Sequence, residues 1–482
     1  MLNRKIRWQP IVKIKGSLLF QWYWIKGSLE ETPRALGLEF TYKNKKIVSG
    51  EISIELNETE KIESILRNKL RYNTDYLEKY TSRCYKFSNQ LLETSKKLGS
   101  GSFTLASNED LLSLYLDYQK RVLALIPFLD TILVLDGILK KEITQLFVSE
   151  LGIAKGEDQD ILLSKLVIPK KKNFFVKETE SLLKMALELQ RNKNNDIAGA
   201  IQKHLKQYAW MSSISYLGDF QTEGDVRQKV DDLVKEDPGK RLKEREKILK
   251  RTRKDFRLAY NKIEKSAKVL RLIDFAREFI YLQTYRLDVF FLAHYKTFPL
   301  LSEIARRVNI AVNDLVYLTG DEIQRILKGL EEVDKREIKR RKEDYALILE
   351  NGKLQLYSGL NVEKTKEKVI KETAVQGTVA SRGRATGKAK IIFYVNEVKK
   401  VRIGDIIVSP MTRPEFTPAI IKASGIITDF GGMLSHAAII SREFGKPCIV
   451  GTKIATKVFK DGDLVELNAY EGIARKLNKN ES

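Results

Sequence analysis

The sequence predicts a multidomain α+β protein, mainly α-helical through its N-terminal and central region and α/β toward its C-terminus. Three observations lead there. Apolar residues recur at helical spacing through most of residues 57–350. Short apolar, β-branched runs bounded by glycines crowd residues 374–478. The 482 residues, 43% of them hydrophobic, leave room for roughly two to four domains with sizeable cores.

Residues 1–56 read as a small β-rich cap. Ile11–Lys15 and Ser17–Ile25 flank Gly16 as extended runs, and Lys46–Leu56 alternates about a glycine as a hairpin does. From Asn57 the period turns helical until Gly99-Ser100-Gly101-Ser102 breaks it. Ser107 with Asp110 marks the next helix start. Further helices are predicted over Glu109–Leu151, Thr179–Tyr208, Asp225–Val234 and Lys240–Tyr295. Arg277–Tyr295 is apolar on nearly all sides and reads as a buried helix of a central bundle. Leu301–Ile323 reads as two or three short helices, completing a helical domain over 57–350. Residues 351–373 begin with leucines and continue with spaced lysines, a strand turn leading into a linker and hinge. The α/β domain occupies 374–478.

Cys84 and Cys448 are the two cysteines, far apart and without metal-ligand spacing, so reduced thiols in the cytoplasm are expected, with no disulfide framework and no metal site. No apolar run is long enough to span a membrane, and Met1–Arg7 does not open a secretory signal.

The chain holds 86 Lys+Arg against 63 Asp+Glu, a formal charge of +23. Residues 374–482 carry 17 of those cations and 10 of the acids, so most of the surplus lies earlier. Its densest portion, Lys240–Lys254, has two readings: a stripe that meets phosphates, or a solvated helix face with Glu244 and Glu246 interspersed and Leu242, Ile248 and Leu249 turned inward. The second is favoured, because no recognition motif or aromatic stacking platform accompanies the charge. Nucleic acid is therefore not the expected partner, while a nucleotide or an acidic protein stays open.

The most informative stretch is Gly431-Gly432-Met433-Leu434-Ser435-His436, which follows the apolar run Gly425–Asp429 and precedes the helical Ala437–Phe444. Strand, glycine turn, histidine, helix is the inferred order. A helix start leaves N–H groups unpaired and carries partial positive charge, which favours a neutral imidazole and stabilises an anion attached to it. Gly431 and Gly432 let the backbone approach, and Ser435 caps the helix or donates to that anion. Such a histidine suits the acceptance and transfer of a phosphoryl group.

This segment resembles the mobile, or swivelling, phosphohistidine domain of the phosphoenolpyruvate-utilising enzymes. The likeness extends to Gly377–Ala389, to Gly404–Val408 with the loop Met411–Pro418, to Lys460–Leu467 and to Gly472–Ala474, all in collinear order. The resemblance implies that His436 is the phosphorylated residue. Many members have threonine two positions before the histidine; here Leu434 stands there, and Ser435 and Thr412 are the hydroxyls able to compensate. Arg413 or Arg442 either clamps the phosphoryl oxygens or pairs with a neighbouring carboxylate, Glu415 or Glu443.

The helical region is similar to the one preceding this domain in phosphoenolpyruvate-synthase-like proteins and in rifampin phosphotransferase. Within it, His204, Tyr208 and Trp210 are candidates for an acceptor pocket, against the commoner alternative of core packing; His294, beside an apolar run, is read as core. The resembled enzymes load the histidine from an ATP-grasp domain, and phosphoenolpyruvate synthase adds a C-terminal barrel. No segment here matches either, so the expectation is a phosphoryl carrier that receives its group from Mg-ATP through a separate ATP-grasp partner and passes it to a small-molecule acceptor. The competing class is a non-catalytic scaffold with a degenerate swivelling domain and basic helices for a partner or nucleic acid.

Overall fold

The computed structural model describes residues 6–13, 16–72, 75–154, 156–192, 196–213, 216–217, 219–359, 372–393, 395–412 and 416–477. The chain opens with β1 (Trp8–Lys13), α1 (Leu18–Glu30), α2 (Thr32–Leu36), β2 (Lys45–Val48) and β3 (Glu51–Glu55). A long helical run follows: α3 (Leu56–Tyr72), α4 (Tyr76–Gly99), α5 (Asn108–Leu125), α6 (Pro127–Leu151), α7 (Glu157–Leu166), α8 (Phe174–Arg191) and α9 (Ala198–Tyr208). It continues through α10 (Glu223–Lys235), α11 (Pro238–Tyr260), α12 (Ala267–Arg307), α13 (Val312–Leu315), α14 (Gly320–Leu327) and α15 (Lys335–Glu343). Then come β4 (Tyr345–Glu350), β5 (Lys353–Ser358), β6 (Ala374–Gln376), β7 (Thr378–Ser381), β8 (Arg384–Ile391) and β9 (Ile406–Ser409). The last elements are α16 (Thr417–Lys422), β10 (Gly425–Thr428), α17 (His436–Glu443), β11 (Cys448–Val450), α18 (Ala455–Val458), β12 (Leu464–Asn468) and β13 (Ile473–Lys476). No single helix among the described residues is long and apolar enough to cross a membrane.

These elements form two compact units, the first from residues 1–135, 210–220 and 285–366, the second from 136–209, 221–284 and 367–482. This division cuts the helical region expected over 57–350. In the first unit an antiparallel sheet runs in the order β1-β3-β2-β4-β5. Residues 353–358 of the expected linker are thus a sheet strand, and the cap expected from residues 1–56 alone is completed by β4 and β5. Residues 360–371, the rest of that linker apart from its last positions, lie outside the described residues. The two hairpin turns use Ser49-Gly50 (φ 46° and 78°) and Asn351-Gly352 (φ 51° and 78°), paired left-handed residues that match strand twist.

Ser17–Ile25 is not extended, as expected from its composition, but enters helix α1. An unbroken apolar run has no readable period, so a strand and a fully buried helix look alike in sequence. Here Leu18 to Ile25 are all buried and the Ser17 hydroxyl accepts from Phe20 N–H at 3.2 Å, which caps a helix. Against this core Lys45 donates to Asp130 at 2.6 Å, both side chains being essentially inaccessible, while Trp24 Nε1 and the Ser28 hydroxyl also donate to that carboxylate. His294 is core, stacked on Tyr216 with ring centroids 3.8 Å apart.

Elsewhere three predicted helices are divided, 109–151 into α5 and α6, 179–208 into α8 and α9, and 240–295 into α11 and α12, the last running on to Arg307, while 225–234 lies within the single helix α10. Glu109–Leu151 breaks between α5 and α6, where Pro127 starts the new helix because a first-turn residue needs no N–H partner. The Ser107–Asp110 capping box is present as anticipated.

The second unit carries the C-terminal eight-stranded sheet, ordered β6-β13-β12-β8-β9-β10-β11-β7. Its centre, β8-β9-β10-β11, is parallel. Ile406, Val408 and Ile427 face one apolar cluster, Ile407 and Ile426 the other with α17's Ala437, Ala438 and Ile440. Burial on both faces is why these strands read as continuous apolar runs.

Candidate functional site

His436 stands where the parallel strand β10 hands over to α17. The Ser435 hydroxyl accepts from Ala438 N–H at 3.4 Å and caps the helix. Gly431 turns the chain at φ 108°, a conformation that a side chain would strain, and an added Cβ would also lie 2.9 Å from Ser435 Cβ. β9 lies beside β10, and the pairing runs past the strand ends: Asp429 N–H donates to Ser409 O at 3.0 Å and Phe430 N–H to Pro410 O at 2.9 Å. Two loops at the carboxyl edge of a parallel sheet are thereby joined, the usual place for a ligand in such sheets. The join brings Thr412 Oγ1 to 3.0 Å from His436 Nδ1.

Thr412 therefore occupies one ring nitrogen and leaves Nε2 for chemistry. Burial pushes the imidazole down to about 3, so the ring is neutral at physiological pH. In the tautomer protonated on Nδ1, whose N–H donates to the Thr412 hydroxyl, Nε2 carries the lone pair a nucleophile needs.

The other expected residues fall into different roles. Arg442 is not turned to a phosphate: Nε donates to Ala438 O at 2.8 Å, Nη1 to Ser164 O at 3.0 Å, and Nη2 to Met433 O. It fastens the loop before His436 to α17 and to the end of α7. Arg413 lies outside the described residues. Leu434, where a hydroxyl was missed, is fully buried. His204 and Tyr208 do share a hollow of about 490 Å³, but Trp210 is not among its lining residues, so the expected trio does not line it together. The His204 ring is held by Ser181 Oγ at 2.9 Å and is pushed down to about 4, first by burial and then by Lys229.

Two groups escaped sequence reasoning. Asp136 of α6 comes so close to Gly432 that a Cβ there would be 2.8 Å from Oδ2. Burial raises its carboxyl to about 6, against the lowering effect of the Gly432 and Leu434 N–H groups. An acid inside the apolar run 132–139 was the available signal. The second group lines a cavity of about 740 Å³ that has His436 on its wall, with Ile439, Ile440, Glu443 and Phe444 of the same helix. Lys170, Lys171 and Lys172 contribute from the loop before α8, Arg245, Arg253 and Arg257 from α11, and Arg277 from α12. Leu249, expected to turn inward, lines this cavity and is 39% exposed, because α11 offers this hollow a mixed rather than an apolar face. Among the described residues no cluster of three or more His, Cys, Asp or Glu is arranged to hold a metal ion.

Compared with known proteins, residues 401–472 match the family described as PEP-utilising enzyme, mobile domain. A stretch of 142 residues is 42% identical to a probable phosphoenolpyruvate synthase of Archaeoglobus fulgidus, covering 27% of this chain and 19% of that protein. The phosphoenolpyruvate synthase of Pyrococcus furiosus is 39% identical over 150 residues, 28% of this chain and 18% of its own length. The uncharacterized phosphotransferase YvkC of Bacillus subtilis is 46% identical over 101 residues, 21% of this chain and 12% of its own. The chain therefore spans less than a fifth of the length of these relatives. A solved structure, Thermococcus kodakaraensis aconitase X, aligns with 22% of this chain at 14% identity and a TM-score of 0.18, a likeness that carries no argument.

Proposed function

Taking as premise that residues 401–472 are a phosphotransferase-type mobile domain of the phosphoenolpyruvate-utilising enzymes, we propose that this chain is a phosphoryl carrier loaded on His436 and discharged to a small-molecule acceptor. The observation that carries the reading is the Thr412 to His436 Nδ1 contact of 3.0 Å, which leaves Nε2 as the other nitrogen of a neutral ring in a residue that lines the cavity.

In this mechanism Nε2 attacks phosphorus, the donor's P–O bond breaks, and the leaving group departs with its electron pair. The Nδ1 proton stays on the ring, shared with Thr412, so the phosphorylated imidazole is cationic beside its own phosphoryl anion. Discharge reverses this: an acceptor hydroxyl oxygen bonds to phosphorus, the P–N bond returns its pair to Nε2, and the hydroxyl proton passes to solvent. Catalysis here is positioning and charge stabilisation, with Gly431 allowing the close turn and the helix start favouring the anion. The donor in this proposal is Mg-ATP held by a separate ATP-grasp protein.

The test is intact-mass and radiolabel detection of phosphohistidine on wild type and His436→Ala, with Mg-ATP labelled at the β or γ position and a candidate ATP-grasp protein. Acid-labile, alkali-stable label on wild type alone is the expected result. Its absence with every such partner and with phosphoenolpyruvate favours the scaffold alternative.

A further inference from the structure

We propose that the cavity beside His436 binds a small organic phosphate, the compound that exchanges the phosphoryl group with this histidine. The exchange rests on the carrier reading above; the binding does not.

Seven cationic side chains line the cavity against two carboxylates, Asp274 and Glu443. A solvated basic helix shows its charge along one helix. Here the charge converges on one hollow from three separate segments, where mutual repulsion grows as water is displaced. Most of these cations are already balanced: Lys170 by Asp274 at 3.1 Å, Lys171 by Glu278 at 2.9 Å, Lys172 by Glu180 at 2.8 Å, and Arg245 by Glu180 at 3.4 Å. Arg277 is fixed by donating Nε to Ile168 O at 2.8 Å and lies 4.4 Å over the Phe256 ring.

Arg253 and Arg257 are different. Neither has an ion-pair partner among the described residues, and they stand one helical turn apart on the same face of α11. Like charges at that spacing destabilise a helix, and an anion between them reverses the sign. The whole stripe Arg245, Leu249, Thr252, Arg253, Phe256 and Arg257 borders the cavity, at the spacing a core helix would devote to apolar packing. Of the residues in α11, Pro238 and Ala259 are the ones buried. The face is therefore built toward a ligand's charge and not toward a core.

Phosphate is the anion that fits. Guanidinium forks engage its oxygens in pairs, and two unpaired forks beside lysines supply the charge that a phosphate ester carries. A nucleic acid strand fits less well, because Arg277 covers Phe256 and Lys171 lies 5.3 Å over Tyr281, leaving those ring faces committed to cations instead of bases.

Calorimetric titration of the full chain with glucose 6-phosphate, inorganic pyrophosphate and glucose tests this. Expected is binding of both phosphates and none of glucose, weakened at least about tenfold in Arg253→Glu/Arg257→Glu and preserved in His436→Ala. A second variant, Lys250→Glu/Lys254→Glu, changes the charge of α11 equally at positions that do not line the cavity, and should alter affinity by less than about twofold. Equal loss in both double variants reduces the effect to the general positive field and overturns the proposal, as does absence of phosphate binding by the folded wild type. Failure of His436 to take up label in the earlier experiment, with this binding intact, sinks the carrier reading alone.

Discussion

The Asp136 carboxylate lies against Gly432 so closely that a Cβ on that glycine would come within 2.8 Å of Oδ2. It accepts from the N–H groups of Gly432 and Leu434, and in the proposed carrier an arriving phosphoryl group competes for these donors. Burial holds this carboxyl near 6, above the ordinary aspartate range, so the charge is present at pH 7.5 and fades as pH falls through about 6. With phosphoramidate as a chemical donor, His436 loading in wild type is expected to accelerate across that window, and Asp136→Asn to load several-fold faster than wild type at pH 7.5. A flat wild-type profile, or slower loading in the variant, refutes the competition. Stability moves the same way. A group whose pKa rises on folding stabilises the native state below its unfolded value and loses that contribution as pH climbs through the folded one. Asp136→Asn is thus expected to melt higher than wild type at pH 7.5.

In the proposed carrier, Thr412 governs which nitrogen reacts. Thr412→Val removes the hydroxyl at 3.0 Å from Nδ1 and frees the ring to turn or take the other tautomer. Loading of His436 should fall about tenfold, the rate equivalent of one hydrogen bond, while Thr412→Ser keeps most of it. The two-dimensional nitrogen NMR pattern of the loaded ring gives a readout beyond rate: phosphate on Nε2 in wild type, and a mixture with Nδ1 in the valine variant. Identical spectra and rates for valine and serine refute the positioning role.

Acid should unfold this protein through its histidines. Burial pushes His294 and His436 down to about 3, and His204 to about 4. Since the unfolded chain takes up protons near 6.5 and these buried rings do not, stability is lost as pH falls from about 6.5 toward 3. His294→Phe keeps a ring to stack on Tyr216 and removes one such group. Relative to its own value at pH 7, it should retain up to about 3 kcal/mol more stability than wild type at pH 4, at about 1.4 kcal/mol per pH unit. Urea midpoints at the two pH values decide it; equal losses refute the assignment.

Lys45 and Asp130 form an ion pair at 2.6 Å with both side chains out of water. Removing one partner strands the other charge, so Asp130→Ala should cost about 3–5 kcal/mol in urea unfolding. Lys45→Met/Asp130→Ala should cost clearly less than the two single changes added together, because no buried charge is left unpaired. Strict additivity would show that the two side chains act independently.

Read from sequence alone, the chain determined the local order at the site. The run Gly425–Thr428, the glycines 431 and 432, the Ser435 cap and His436 at the first position of α17 all follow from neighbours a few residues apart. Backbone hydrogen bonding and left-handed turns are short-range, so their signals sit in adjacent letters. The same holds for the Ser107–Asp110 box and the Ser49-Gly50 hairpin turn.

What only the tertiary structure decided involves residues far apart. Thr412 meets His436 because β9 and β10 are parallel neighbours, and Asp136 and the arginines of α11 come from segments that precede His436 by well over a hundred residues. Ser17–Ile25 became a helix, and Lys45 an interior cation, for a related reason. Burial and desolvation depend on what packs around a group, and an apolar run or a lysine carries no local mark of its eventual surroundings.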